Sequence, residues 1–157
     1  MLLAAIHLFA LPLAAPAGNR LVNQGGKIVV EFDGTMKSRV IAHEGGEKVL
    51  GDFSVSEYLV SGGKEISDFA VTAFRSGPYH DSLGSGTVFE ISGSAGPLEK
   101  KASIVAYADF PTMLFYNVEY RNRGSADIAI EEWGNNRYSV HGGSSHPALW
   151  SYQPGSY

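Results

Sequence analysis

Residues 102–122, ASIVAYADFPTMLFYNVEYRN, decide the fold of this chain. In the second half of this stretch every second side chain is large and apolar or aromatic: Leu114, Tyr116, Val118 and Tyr120. A period of two predicts a strand with one face on a core and the other in water. Residues 102–108 are apolar at both alternating positions, which predicts a strand in the middle of a sheet.

The rest of the chain after Gly18 repeats this kind of unit. Runs of β-prone residues alternate with Gly, Asp, Asn or Ser, and no run shows a helical period. The pair Asp33-Gly34 predicts a tight hairpin turn in which both residues have positive φ. We therefore predict an all-β fold, an antiparallel two-sheet supersandwich. Besides residues 102–108 and 113–122, strands are predicted at 27–32, 36–43, 54–60, 69–74, 87–92, 127–133 (Ile128 and Ile130 inward) and 138–140.

Composition limits the classes of function that the chain can have. Its 157 residues fit one domain, with 12 Lys and Arg against 16 Asp and Glu and a net charge of −4. Because the sequence has no block of basic residues, neither nucleic acid nor an anionic membrane surface is expected as a partner. Cysteine is absent, which excludes disulfides, thiolate metal sites and a cysteine nucleophile.

The first 17 residues differ from the rest and predict a signal peptide. Residues 2–15 are almost entirely apolar and carry no charged side chain, and Ala15-Pro16-Ala17 fits an A-x-A cleavage site. We expect cleavage near Ala17 and a secreted or periplasmic protein. The apolar run is shorter than the roughly 20 residues of a membrane-spanning helix. A buried hydrophobic segment or a misassigned start codon is the alternative interpretation.

Carboxylates are the first candidates for chemistry. Glycoside hydrolysis needs two of them, about 5 Å apart for retention and roughly 6.5–9.5 Å apart for inversion. Glu131 and Glu132 are adjacent on a predicted strand, so they would point to opposite faces. No other pair is recognisable, and we interpret the carboxylates as solvated surface groups: Asp52, Glu57, Asp68, Asp81, Asp109, Glu119, Glu131 and Glu132.

Histidine and serine give no clear site. His80-Asp81 could be a histidine with an orienting carboxylate, while His141 and His146 flank a Gly/Ser-rich loop. A metal site needs three or four convergent ligands, and the spacing predicts neither a metal nor another cofactor. Gly84-Ser85-Gly86 lacks the G-x-S-x-G spacing of a nucleophile elbow and predicts a turn.

Aromatic residues gather in the last quarter of the chain. Flat rings can stack on the apolar face of a pyranose, while their polar tips bond to hydroxyl groups. Packing in the core and an interface with another domain are the alternatives, and the sequence leaves all three open. The residues concerned are Trp133, Tyr138, Trp150, Tyr152 and Tyr157.

Three ordered segments carry a resemblance to a known family. Residues 105–111 (VAYADFP), 118–122 (VEYRN) and 128–130 (IAI) resemble the N-terminal supersandwich of family-36 alpha-galactosidases of clan D. Residues 81–86 resemble the turn that precedes this unit, and residues 148–157 resemble the segment that runs from the sandwich toward the catalytic barrel. The resemblance covers roughly residues 26–157.

The resemblance implies a division of the chain and a set of partners. Residues 1–17 would be the signal peptide, 18–141 the supersandwich, and 142–157 the start of a linker toward a catalytic TIM barrel outside this sequence. The family's two catalytic aspartates lie on that barrel, so no catalytic residue is assigned here. The implied partners are the barrel of the same full-length chain and alpha-galactoside oligosaccharides, and a homo-oligomer is left open. Asp52 and Trp150 are the candidates for substrate contact.

Two other functions remain as alternatives. The chain could be a freestanding secreted lectin-like sandwich, which would explain the export signal and the aromatic residues. It could also be a complete small hydrolase. If a partner domain is missing, we expect an exposed apolar patch larger than the few hundred Å² that is usual for monomers.

Overall fold

The computed structural model describes residues 19–43 and 45–138, which contain eleven strands and no helix. All strand pairs are antiparallel, which confirms the predicted all-β antiparallel class. The strands are β1 (Asn19–Val22), β2 (Ile28–Phe32), β3 (Ser38–His43), β4 (Glu47–Val49), β5 (Tyr58–Ser61), β6 (Lys64–Ile66), β7 (Ala70–Asp81), β8 (Gly84–Ala95), β9 (Leu98–Tyr107), β10 (Phe115–Asn122) and β11 (Glu132–Gly134).

The strands form three sheets. The N-terminal sheet has the order β1-β2-β3-β4, and the long sheet has the order β10-β9-β8-β7. A small sheet has the order β11-β5-β6. The described part of the chain thus adds a short third sheet to the two that the sequence analysis expected. In this part there is also no helix with the length and apolarity needed to cross a membrane.

The core lies between the N-terminal sheet and the long sheet. In β9 the buried positions alternate with half-buried ones, so Leu98, Ala102 and Ile104 face inward. They pack with residues of the N-terminal sheet such as Val30 and with the buried Phe69 ring. Full burial of one such side chain contributes roughly 1.5–3 kcal/mol. β9 also lies between β8 and β10, as its sequence predicted.

The turn between β2 and β3 differs from the predicted tight hairpin. Residues 33–37 form a longer loop in which Met36, and not Asp33 or Gly34, has positive φ (59°). The Asp33 carboxylate accepts hydrogen bonds from the backbone N–H groups of Thr35 and Lys37 at 2.8 and 3.0 Å. Hydrogen bonds of this kind, from backbone N–H groups to an aspartate side chain, can fix a turn without a glycine at the position of positive φ. Met36 has this left-handed backbone conformation, and its side chain is buried in the core.

The hairpin of β7 and β8 is longer than predicted. Each strand has 12 residues, whereas the sequence analysis ended the first at position 74, before Ser76-Gly77-Pro78. Proline is tolerated there because β7 is an edge strand. The predicted turn at residues 84–86 is wrong, since β8 already begins at Gly84.

The predicted strand at residues 127–133 is largely wrong. Only residues 132–134 form a strand, and it pairs with β5. The Asn122 side chain accepts from Gly124 N–H and donates to the Ala126 carbonyl, which turns the chain away from β10. Ile130, which was expected to point inward, is 46% exposed. Tyr138 belongs to no strand, and residues 139–140 lie outside the described residues.

Candidate functional site

A concave surface lies beside β11 and is called here the Trp133 cleft. It encloses about 480 Å³, within the range of small-molecule pockets. Trp133 stands opposite Leu59 in the pairing of β11 with β5, and its side chain is 66% exposed. The cleft is lined by Leu59, Leu98, Val118, Tyr120, Asn122, Ile128, Ile130, Trp133 and Asn135.

The lining of the Trp133 cleft suits a ligand with one apolar face. Most of the lining side chains are aliphatic or aromatic, and none carries a charge. The Asn122 amide is already used in the turn that follows β10, so Asn135 supplies the second amide at this surface. An exposed indole beside an amide can stack on a pyranose ring and bond to its hydroxyl groups.

The aromatic residues that the sequence grouped together are separated in the structure. Trp133 is exposed in the cleft, whereas Tyr138 is half-buried, with its hydroxyl 3.5 Å from those of Ser38 and Tyr116. Burial raises the pKa of Tyr138. Trp150, Tyr152 and Tyr157 lie outside the described residues. Of the two described members of this group, Trp133 is therefore the residue whose geometry fits sugar contact.

A buried polar cluster joins the three sheets. Lys100 of β9 is 0% exposed, and its Nζ lies 3.4 Å from Oε2 of Glu57, which directly precedes β5 and is 1% exposed. The same oxygen accepts from Ser56 at 2.8 Å, and Ser56 in turn accepts from Ser38 of β3 at 2.7 Å. The interpretation of Glu57 as a surface carboxylate is therefore wrong.

Burial controls the ionisation of this cluster. Desolvation lowers the pKa of Lys100, and the nearby Glu57 carboxylate only partly opposes that effect. The Nζ also lies 5.2 Å from the centre of the Phe69 ring, a favourable cation–π position. Glu57 Oε1 and the Tyr120 hydroxyl have no hydrogen-bond partner among the described residues. Burial and the charge of Glu57 both raise the pKa of Tyr120.

The alternation of β9 carries a sequence signal for this cluster. Lys100 occupies the same alternating positions as Leu98, Ala102 and Ile104, so it faces inward with them. The predicted strand began at residue 102, which left Lys100 outside the pattern. A predicted strand that began four residues earlier, at Leu98, would have placed the Lys100 charge in the core. Because a buried charge needs a paired partner, a buried carboxylate would then have been expected.

A second polar group lies at the tip of the β7–β8 hairpin. Asp81 accepts hydrogen bonds from the hydroxyls of Tyr107 at 2.6 Å and Tyr79 at 3.2 Å, and from Leu83 N–H at 2.8 Å. The Tyr107 bond is the main reason that the pKa of Asp81 is lowered, and the same bond raises the pKa of Tyr107 to about 12.

The proposed pairing of His80 with Asp81 does not occur. His80 Nδ1 lies 2.9 Å from the Ser85 hydroxyl, while Asp81 bonds to the two tyrosines. Neighbouring residues of a strand point to opposite faces, which separates the two side chains. The arrangement is that of a hairpin end and does not assemble a histidine base with its orienting acid.

Asp52, the candidate for substrate contact, lies on the exposed loop between β4 and β5. It borders a hollow of about 10 Å³ near Arg39 and Tyr138, which is too small for a sugar ring. It does not line the Trp133 cleft. Trp150, the other candidate, lies outside the described residues, so the geometry of neither residue adds to its assignment.

The other carboxylates have separate local partners. Asp68 pairs with Lys37 at 2.9 Å, Glu131 accepts from Gly63 N–H at 3.0 Å, and Glu132 accepts from a tyrosine hydroxyl at 2.6 Å. Within residues 19–43 and 45–138, no group of three or more His, Cys, Asp or Glu side chains could hold a metal ion.

Neither a known family model nor a curated protein matches this chain.

Proposed function

We propose that this chain is the non-catalytic N-terminal domain of a secreted alpha-galactosidase-like glycoside hydrolase. The observation that carries the proposal is the unit formed by β9, the turn at residues 108–114 and β10. The two strands pair over eight residues, and Asp109-Phe110-Pro111 lies in the turn between them. This is the same order of strand, Asp-aromatic-Pro turn and strand on which the family resemblance rests.

The Asp-Phe-Pro turn also has a structural role. The Pro111 carbonyl accepts from Gly25 N–H at 2.8 Å and from the Asn23 amide at 2.6 Å, so the turn is bound to the β1–β2 loop. Phe110 packs edge-on against Tyr107 and Phe115. The two bonds to the Pro111 carbonyl join the N-terminal and long sheets at one end.

In this proposal the chemistry belongs to a catalytic barrel of the same full-length protein. That barrel would cleave alpha-linked galactosides by a retaining mechanism with two aspartates. The sandwich would pack against the barrel and border its sugar pocket. Sequencing the DNA that adjoins the coding region tests this arrangement. We expect an in-frame barrel, and a stop codon directly after Tyr157 with no barrel downstream would contradict it.

Export is part of the same proposal, with cleavage of the signal peptide near Ala17. Expression with residues 1–17 intact should release a protein whose N-terminal sequence begins at Gly18. N-terminal sequencing of the released protein is the measurement. Retention of the protein inside the cell with Met1 still present would contradict export.

The exposed Trp133 favours a second function, carbohydrate binding by the sandwich itself. The chain has two tryptophans, so Trp150→Phe leaves Trp133 as the only indole, and Trp133→Phe is the matched control. Titration with methyl alpha-galactoside should change the fluorescence of the Trp150→Phe protein and leave that of the Trp133→Phe protein unchanged. Equal responses, or none, would exclude the cleft as the sugar site.

A further inference from the structure

The outer edge of β10 is free for pairing in the described part of the chain. β10 is the terminal strand of the long sheet and has backbone partners only in β9. Its sequence, FYNVEYRN, contains no Pro or Gly, and its register with β9 has no bulge. A straight edge of eight residues presents a row of unpaired N–H and C=O groups to any strand of matching shape.

The opposite edge of the same sheet is protected. β7 contains Pro78, which cannot donate to a ladder, and a register shift lies between Val71 and Ala73. Bulges and prolines are the usual means by which edge strands avoid pairing with other chains. The long sheet therefore blocks association at β7 and leaves β10 open.

The inner face of β10 has two apolar clefts beside it. Val118 and Tyr120 line the Trp133 cleft. Tyr116 lines a second cleft of about 330 Å³, together with residues of the N-terminal sheet such as Val40. A strand added at this edge would place its inward side chains beside these clefts and cover them.

We propose that two copies of this chain associate by antiparallel pairing of their β10 strands about a two-fold axis at Val118. In an antiparallel pair, directly opposite residues point to the same face of the sheet. Odd-numbered residues of one copy must therefore lie opposite odd-numbered residues of the other, and even-numbered residues opposite even-numbered ones. An axis at Glu119 would place two like charges directly opposite each other. An axis at Val118 avoids that repulsion and uses nearly the full length of the strand.

The register about Val118 is self-complementary. On the outer face Asn117 donates one amide hydrogen to Glu119 of its own chain at 3.1 Å, and it lies opposite Glu119 of the second copy, so its other amide hydrogen can donate to that carboxylate. Phe115 lies opposite Arg121, a cation–π pairing. On the inner face Tyr116 lies opposite Tyr120, which brings aromatic surface over both clefts. Each of these contacts occurs twice because the interface is isologous.

Charge substitutions at Asn117 test the register in the full chain. Sedimentation velocity should show a concentration-dependent dimer. Asn117→Glu should raise its dissociation constant about tenfold, because it twice opposes Glu119 with a like charge. Asn117→Lys should leave the dimer intact or tighten it. Ser76→Glu, the same exposed charge on β7, should have no effect.

Crosslinking gives a second readout that does not depend on charge. The chain has no cysteine, and the register places the two Val118 residues opposite each other at a distance that a disulfide can span. Mild oxidation should link Val118→Cys into a dimer and leave Ser76→Cys monomeric. A monomer at all concentrations, or a dimer equally affected by Asn117→Glu and Ser76→Glu, would overturn the proposal. The inference does not depend on the proposed function.

Discussion

At the scale of single residues, the buried Lys100–Glu57 pair is the most consequential feature of the core. Removing one partner would leave the other charge buried without compensation, and that costs about 3–5 kcal/mol. We therefore expect Lys100→Met to lower the free energy of unfolding by this amount, measured by urea denaturation. The double variant Lys100→Met with Glu57→Leu should recover most or all of the loss. Equal destabilisation by the single and double variants would show that the two charges do not act as a pair.

Tyr107 is predicted to link stability to alkaline pH. Its pKa is raised from 10.0 to about 12, mainly by its hydrogen bond to Asp81. Because the folded state holds this proton more tightly, its contribution is fully present below pH 10 and is lost as the pH rises toward 12. Tyr107→Phe should therefore make stability less dependent on pH between 10 and 12. An unchanged slope in Tyr107→Phe would contradict the assignment.

At the scale of the elements, the β7–β8 hairpin offers a matched pair of glycines. A Cβ at Gly86 would collide with the backbone of Ala106 and Tyr107, while a Cβ at Gly77 would meet no atom within 4 Å. Gly86→Ala should cost about 1–3 kcal/mol, as overpacking usually does. Gly77→Ala should be neutral or stabilise by up to about 1 kcal/mol. Thermal and urea unfolding measure both, and equal effects would mean that β8 and β9 pack less closely than described.

The elements also show how far the sequence predicts this fold. The alternation in residues 113–122 and the apolar run in 102–108 correctly predicted β10 and the central position of β9. β1, β4 and β6 were missed because three or four residues carry too little periodicity. The strand expected at 127–133 failed because Asn122 turns the chain toward β5, a long-range pairing that no local pattern encodes.

The candidate site was predicted less well than the fold. Trp133 belongs to the aromatic group that the sequence singled out, but the cleft beside it is built from four separate segments. The pairing of β9 with β10 and the tertiary pairing of β11 with β5 bring those segments together. Asp52 followed from the family resemblance and lies in a hollow too small for a sugar.

At the scale of the whole molecule, two apolar clefts lie beside β10 in the described part of the chain, the Trp133 cleft and the neighbouring cleft at Tyr116. The exposed patch expected from the sequence stays a prediction, and binding of a hydrophobic dye by the isolated chain would test it.

The central claim is that this chain is the non-catalytic domain of an alpha-galactosidase-like hydrolase. Its most direct test is hydrolysis of a chromogenic alpha-galactoside by purified residues 18–157 and by the longer protein encoded with the downstream sequence. We expect only the longer protein to be active. Activity in residues 18–157 alone, or none in the longer protein, would contradict it.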